Sequence, residues 1–244
     1  MLVKALPQPS RRYGETVCCA GVTAERRWKR LFPIRFRHLN GSAAFRRWDW
    51  VSFRYRLPTH DPRPESCHVN EDTIEAAQSG LGMVERARFL EPLLRKSARD
   101  AADRGESLAL IRPRNTRFVW KRKERGHIEA EREAFGRAAR QFDLLDEPLA
   151  AIEPTPYHFR FRFEDDDGRH DYANGDWEAH AMFWKESDRV GERKALDWMD
   201  HVFNEQYPQR GMAFALGNQA KRPQTWQLLG VLRLDAPLQD DFGF

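Results

Sequence analysis

Residues 46–57 (RRWDWVSFRYRL) alternate so regularly that they predict a β-strand with two chemically different faces. Successive side chains of a strand point to opposite faces, so Val51, Phe53, Tyr55 and Leu57 share one face, which we expect to be core. The opposite face combines aromatic rings with guanidinium groups, and its members are Trp48, Trp50, Ser52, Arg54 and Arg56.

The same patterns predict elements on both sides of this strand. We expect a hairpin of strands over residues 15–23 and 28–34, a helix over 71–79 capped by Asn70, and a helix from Glu91-Pro92 to Gly105. A short strand over 107–112 is expected to pair with 116–121, ahead of a helix over 127–145.

The C-terminal part is predicted to place helices between two hairpins. Residues 157–163 (YHFRFRF) alternate strictly, Asp176 suits a helix N-cap, helices are expected to about 187 and over 189–206, and strands over 211–216 and 226–234. These elements predict an α+β fold, with a bent antiparallel sheet or partial β-barrel at the N-terminus and helices packed against it. Prolines 148, 154 and 156 indicate a boundary between a basic β-rich domain (1–147, two to three helices) and an α+β segment (148–244), which could also form one domain.

Charge is distributed unevenly along the chain. Of 244 residues, 41 are Lys or Arg and 37 are Asp or Glu, but residues 1–70 hold 14 basic and 5 acidic side chains. Ten basic residues and one acid lie within 26–56, and a second run over 112–125 adds seven basic residues. Arginine dominates, and its planar fork suits phosphate. This asymmetry predicts a polyanionic partner; the alternatives are a solvated surface or one half of the chain docking on the other.

The leading hypothesis is therefore a nucleic-acid-binding protein for RNA or for single-stranded or modified DNA. Guanidinium groups contact phosphates, and aromatic rings stack bases with about 1–3 kcal/mol each. The alternative for the tryptophan side of the strand is a second core face covered by a helix. The predicted contact residues are Trp28, Arg30, Arg35, Arg37, Trp48, Trp50, Arg54, Arg56 and Arg63.

An acidic stretch over 164–178, with two nearby histidines, supports a second hypothesis, a metal-dependent nuclease or hydrolase. Its catalytic candidates are Asp171, Asp176, Glu178 and His180, and Mg²⁺ is expected only under this hypothesis. An acid-x-Lys pattern is missing, since Lys185 lies in a predicted helix, so helix capping and solvated acids are the simpler interpretation. No other cofactor and no metal site is predicted, and whether the protein is an enzyme stays open.

A third hypothesis is a non-catalytic interaction subunit with a protein partner. No apolar run approaches the roughly 20 residues of a membrane helix, and residues 1–12 do not form a secretory signal, so no membrane association is expected. The three cysteines include the adjacent Cys18 and Cys19, whose side chains suit opposite faces of a strand better than a bridge. Reduced thiols predict a cytoplasmic protein.

Several segments resemble a family of uncharacterised bacterial proteins of about this length. The segments are 14–21 (GETVCCAG), 30–37 (RLFPIRFR), 61–66 (DPRPES), 156–163 (PYHFRFRF), 176–178 (DWE), and 214–217 (FALG) with Leu229-Gly230. Members look like cargo of mobile-element or defence-type gene neighbourhoods, which implies a link to nucleic acid and to antiviral defence. Many members carry cysteines and a His before the Asp-Trp-Glu; here only His170 remains. The resemblance therefore implies no catalytic residue.

Overall fold

A computed structural model describes residues 1–10, 14–78, 81–140 and 150–235 and shows an α+β protein. The strands of the first half are β1 (Val3–Lys4), β2 (Gln8–Ser10), β3 (Gly14–Val22), β4 (Trp28–Ile34), β5 (Trp50–Arg56) and β6 (Ser66–Ala77). The later strands are β7 (Leu94–Arg95), β8 (Leu108–Ile111), β9 (Arg114–Arg122), β10 (Tyr157–Asp165), β11 (Gly168–Ala173), β12 (Met212–Gln219) and β13 (Arg222–Arg233). The helices are α1 (Met83–Leu90), α2 (Ala98–Asp103), α3 (Arg125–Ala139), α4 (Trp177–Val190), α5 (Glu192–His201) and α6 (Tyr207–Arg210).

The N-terminal sheet has the order β1-β3-β4-β6-β5, with β2 pairing on β3. The predicted hairpin of β3 and β4 is confirmed, since the two strands pair antiparallel. Strand β6 then inserts parallel to β4 and leaves β5 at the edge of the sheet. Over the described residues, neither this sheet nor the others closes into a barrel.

A four-stranded sheet, β13-β12-β8-β7, forms the centre of the molecule. All four residues of β8 and the first six of β12 are buried, as expected for strands covered on both faces. Ile111 and Phe214 point into one apolar core, whereas Leu110 and Ala215 point into another. The second core contacts α1 and β1, so this sheet joins the two halves of the chain.

The third sheet, β11-β10-β9, covers the first of these cores. The alternation predicted for β10 is confirmed: Tyr157, Phe159, Phe161 and Phe163 are buried, with His158 and Arg162 exposed between them. The inner phenylalanines pack against α4, while the outer face of the sheet is open to solvent within the described residues. Helices α4, α5 and α6 lie in the chain between the hairpins β10–β11 and β12–β13, so the predicted arrangement of helices between two hairpins is confirmed.

Two predicted helices are wrong. Residues 66–77 form β6, because hydrogen bonding to β4 on one side and β5 on the other outweighs the helix-capping signal of Asn70. The helix expected from Glu91-Pro92 is only a 3₁₀ turn, Glu91–Leu93, and α2 starts six residues further on, where the Ser97 Oγ accepts from the Asp100 amide at 3.1 Å.

Two strand predictions also need correction. Strand β9 pairs with β10 in another sheet and not with β8, whose partners are β12 and β7. Tyr55 and Leu57 are 46% and 75% exposed, and not core, because β5 is an edge strand and Leu57 follows its last residue, Arg56.

Some predictions fall on other parts of the chain. Helix α3 is described to Ala139, and both its predicted end at 145 and the predicted boundary at 147/148 lie outside the described residues. Among the helices that are described, none is long and apolar enough to cross a membrane.

Candidate functional site

Two adjoining cavities of about 830 and 600 Å³ lie where the N-terminal sheet meets the hairpins β10–β11 and β12–β13. They share four lining residues, Cys18, Arg30, Phe32 and Arg63, and we call them together the cleft. Arg160 also lines the larger cavity, and Arg56, His60 and His68 also line the smaller one. Four guanidinium groups therefore line one continuous depression.

Arg30 is the most unusual of these side chains, because it is a cation with only 4% of its surface exposed. It projects from β4, and its Nη2 donates to the Ser107 carbonyl at 2.9 Å and to the Ser107 hydroxyl at 3.3 Å. No carboxylate of the described residues lies within ion-pair distance, and its Nε lacks a hydrogen-bond partner among them. Burial lowers the pKa of Arg30, although an arginine stays charged in proteins.

A buried carboxylate supports Arg30 indirectly. Glu65 accepts from the Ser107 amide at 2.8 Å and from its hydroxyl at 2.6 Å, so Ser107 links the carboxylate to the guanidinium. Gly217 provides the room, since a Cβ there would lie 3.1 Å from Arg30 Nη2 and 2.5 Å from Leu229 Cδ1. The charge is thus held in place by polar neighbours and close packing, without being neutralised by direct contact.

Arg63 connects the proline-rich loop to the opposite wall of the cleft. Its Nε and Nη2 donate to the two carboxylate oxygens of Asp61 at 2.7 and 2.6 Å, and its Nη1 donates to the Asn218 carbonyl at 2.7 Å. Ser66 also donates to Asp61, at 2.7 Å. Partial burial raises the pKa of Asp61, but these hydrogen bonds outweigh burial and hold it below its usual value. Asp61 is therefore an anion that fixes the direction of Arg63.

Arg160 marks the other end of the cleft, on the outer face of β10. Its Nε donates to the Asp171 carboxylate at 2.7 Å and its Nη2 to the Asp171 carbonyl at 2.7 Å. Both side chains are about two-fifths exposed, so the pair is solvated and its ions can exchange partners at little cost.

Aromatic rings and amides complete the lining. Phe32 is 42% exposed, and half-buried Tyr172 and Trp226 lie on the opposite wall. Around them are carboxamides and a buried Asn174, whose Nδ2 has no hydrogen-bond partner within the described part of the chain. Flat apolar rings, amide donors and acceptors, and guanidinium groups are the chemistry that holds bases and phosphates.

The structure brings three of the nine predicted nucleic-acid contacts together in the cleft: Arg30, Arg56 and Arg63. It does not assemble the predicted tryptophan face. Trp28 is 7% exposed and lies in the core, and half-buried Trp48 precedes β5 with a positive φ of 78°, beneath the Arg86 guanidinium at 4.7 Å. Trp50 is 36% exposed and meets Phe89 of α1 edge-on at 5.9 Å.

The remaining predicted arginines lie elsewhere. Arg35 pairs with Glu71 at 2.8 Å, and Arg37 pairs with Glu15 at 3.3 Å and donates to the Ala150 carbonyl. Both are therefore committed to ion pairs within the fold. Arg54 is exposed on the edge strand β5, two residues before Arg56, and does not line the cleft.

The four catalytic candidates of the acidic stretch are not brought together either. Asp171 pairs with Arg160 on the outer sheet face, and Glu178 pairs with Lys4 at 2.6 Å. Asp176 is 1% exposed, and it accepts from Arg47, from the Glu178 amide and from the Val231 amide at 2.8–3.0 Å. His180 is buried between Thr155 and the Asn174 carbonyl, and burial lowers its pKa to about 4. Within the described residues no cluster of His, Cys, Asp and Glu could hold a metal ion.

Sequence reasoning missed Ser107, Asn218, Arg160 and Trp226 as site residues. Arg160 alternates with buried phenylalanines on β10, which predicted its outward direction but not its neighbours. The others reach the cleft only through the pairing of β8, β12 and β13, which no local pattern encodes. All three cysteines are free thiols, and Cys18 lines the cleft.

The fold and the cleft together define an α+β protein whose two halves meet at a cationic, aromatic-lined depression. The chain belongs to the family described as "Domain of unknown function (DUF8757)", whose model matches residues 92–241, more than half of its length. Residues 1–92 match a second model, described as "Domain of unknown function (DUF8758)". The cleft residues Arg30 and Arg63 come from the region of one model, and Arg160 and Trp226 from that of the other. No curated protein and no solved structure matches the chain.

Proposed function

We propose that this protein binds single-stranded nucleic acid, RNA or DNA, in the cleft. Arg30, Arg56, Arg63 and Arg160 would contact phosphates, and the rings that line the cleft would stack against bases. The observation that carries the proposal is Arg30: a buried cation without a direct carboxylate partner is costly, and an anionic ligand offsets that cost. The tryptophan face around β5 is no longer part of the proposed site.

The cavity volume and lining favour a flexible single strand over a duplex. An open depression that combines rings with amides can accept unstacked bases. The bases of a duplex are paired and stacked inside the double helix, so their faces cannot stack on the rings of the protein. The Arg160–Asp171 pair is solvated, so a phosphate can replace Asp171 as the partner of Arg160. Arg63 stays paired with Asp61 and would contact a phosphate through the N–H groups that its hydrogen bonds to Asp61 and Asn218 leave over.

The test is the binding of a fluorescently labelled 12-nucleotide oligo(U) or oligo(dT), followed by anisotropy over a range of salt concentrations. The four phosphate contacts in the cleft alone predict a slope of about −2.8 in log K against log salt, or about 50-fold weaker binding at 200 mM than at 50 mM, and any contact outside the cleft makes the slope steeper. Binding that does not change with salt would contradict the proposal.

A matched pair of variants locates the site. Arg56 and Arg54 lie two residues apart on β5, but only Arg56 lines the cleft. We expect Arg56→Ala to weaken binding about fivefold, from the loss of about 1 kcal/mol, and Arg54→Ala to leave it unchanged. Equal losses would return the site to the face of β5.

Arg30→Gln tests the buried cation itself. We expect at least tenfold weaker binding with little change in thermal stability, because the substitution leaves no directly paired carboxylate without its partner. Circular dichroism and the melting temperature check the fold of this variant. If it does not fold, the comparison of Arg56→Ala with Arg54→Ala still decides.

We also propose, from the family resemblance, that binding takes place in the bacterial cytoplasm in a mobile-element or phage-defence context. Phage plating on cells that express the wild type or the Arg56→Ala variant tests this part. Protection by the wild type alone supports it, and equal plating on both and on empty cells contradicts it.

A further inference from the structure

The outer face of the three-stranded sheet carries a second cationic surface next to the cleft. In one cross-strand row, Arg162 of β10 lies opposite Arg117 of β9 and opposite Asp171 of β11. The next rows place Arg160 opposite Val119 and His158 opposite Lys121. We call this surface the outer sheet face. Its charged members are Arg117, Lys121, Arg160, Arg162 and Asp171, together with Glu164, Arg169 and Arg114 in the adjoining row.

The charges of this face do not balance. It holds six cations and two carboxylates. Glu164 already accepts from Arg169 at 3.0 Å, and Asp171 already serves both Arg160 at 2.7 Å and Arg162 at 3.4 Å. Arg117 has no ion-pair partner within the described residues. Like charges placed directly opposite each other destabilise a sheet, so the Arg117–Arg162 pair costs stability in the free protein. An anion laid across the pair would relieve that repulsion.

The outer sheet face is continuous with the cleft. Arg160 and Asp171 belong to the face and also line the larger cavity, together with Tyr172 and Ala173 of the same strand β11. Arg117 to Lys121 extend the cationic surface by about 13 Å along β9, at 3.3 Å per residue. The face itself offers no large exposed ring, so its chemistry is that of phosphate contact without base stacking.

We propose that a single strand bound in the cleft continues onto the outer sheet face, where Arg117, Arg162 and Lys121 hold its phosphates. This inference rests on the proposed function and extends it: the cleft holds bases and phosphates, whereas the sheet holds backbone only. A ligand long enough to reach both surfaces then binds more tightly than one that fills the cleft alone, without any preference for the sequence of its outer part.

The test compares 4-nucleotide and 12-nucleotide oligo(U) on the wild type and on the double variant Arg117→Gln/Arg162→Gln. We expect the wild type to bind the longer oligonucleotide at least tenfold more tightly. In the double variant this advantage should fall to a few-fold, with the affinity for the 4-mer unchanged. The salt slope for the 12-mer should become shallower by about 1.4, the value of two phosphate contacts.

Arg189→Gln/Arg193→Gln is the matched control, because both side chains are well exposed on α4 and α5 and the change in net charge is the same. It should keep the full advantage of the longer oligonucleotide. Lys121→Gln gives an independent variant on the face itself, and it should reduce the same advantage if the double variant does not fold.

Several results would overturn the inference. The wild type could bind both lengths with equal affinity, the double variant could lose equal affinity for both lengths, or the control could lose as much affinity as the double variant. Each of these results would show that the outer sheet face does not bind the strand, while leaving binding in the cleft intact. Tighter binding of an acidic peptide than of the 12-mer, dependent on Arg117 and Arg162, would assign the face to a protein partner. Failure of both oligonucleotides to bind would reject the proposed function together with this extension.

Discussion

Asp176 provides the clearest distinction between a catalytic and a structural carboxylate. Its side chain is 1% exposed, caps α4 through the Glu178 amide, accepts from the Val231 amide and meets the Arg47 guanidinium at 2.8 Å. Removing one partner of a buried ion pair costs about 3–5 kcal/mol, and losing an N-cap costs about 1 kcal/mol. We therefore expect Asp176→Ala to lower the free energy of unfolding by about 4–6 kcal/mol, a large part of the 5–15 kcal/mol typical of a folded protein.

Urea unfolding followed by tryptophan fluorescence measures this change. Asp176→Asn should lose less, because its amide oxygen still caps the helix, and Asp171→Ala should lose under about 1 kcal/mol, because its ion pairs are solvated. Loss of any activity in an Asp176 variant would then report unfolding. An Asp176→Ala protein within 1 kcal/mol of the wild type would refute the structural role and reopen the metal-dependent nuclease.

Two further predictions concern single buried or cleft-lining groups. Burial lowers the pKa of His180 from 6.5 to about 4, so the unfolded chain binds a proton that the folded chain does not between these values. The free energy of unfolding should therefore fall by about 3 kcal/mol between pH 7 and pH 4. In urea titrations a His180→Gln variant should lose this part of the pH dependence, and an unchanged profile would contradict it. Cys18 lines both cavities of the cleft and is half-buried, whereas Cys19 and Cys67 are buried with raised pKa values, although Cys67 also lines the smaller cavity. The Cys18 thiol should therefore react with iodoacetamide faster than the other two thiols, and bound oligo(U) should slow this reaction. Mass spectrometry that finds Cys19 or Cys67 labelled first would contradict the prediction.

Local patterns predicted much of the fold. Alternation identified β4 at Trp28–Ile34 and the buried phenylalanines of β10, and the polar side chain of Asp176 identified the start of α4. These signals depend on the two-residue alternation of a strand and on the unpaired amides at the start of a helix. Both can be recognised from residues that are close together in the sequence.

Long-range pairing accounts for what the sequence did not reveal. Strand β6 looks like a capped helix by composition, and only its position between β4 and β5 makes it a strand. The tryptophans near β5 alternate with the expected spacing, but α1 packs beside them, so spacing could not show whether they are open. The candidate site joins Arg30, Arg63 and Arg160 from three separate segments. Its cations were visible as an excess of charge, but their meeting point was not.

Photo-cross-linking of a 12-nucleotide oligonucleotide that carries 5-bromouridine, followed by mass spectrometry of the peptides, tests the central claim most directly. Binding in the cleft predicts adducts on Trp226, Tyr172 or Phe32, which line the larger cavity. Adducts confined to Trp48 or Trp50, or no adduct from an oligonucleotide present at saturating concentration, would contradict binding in the cleft.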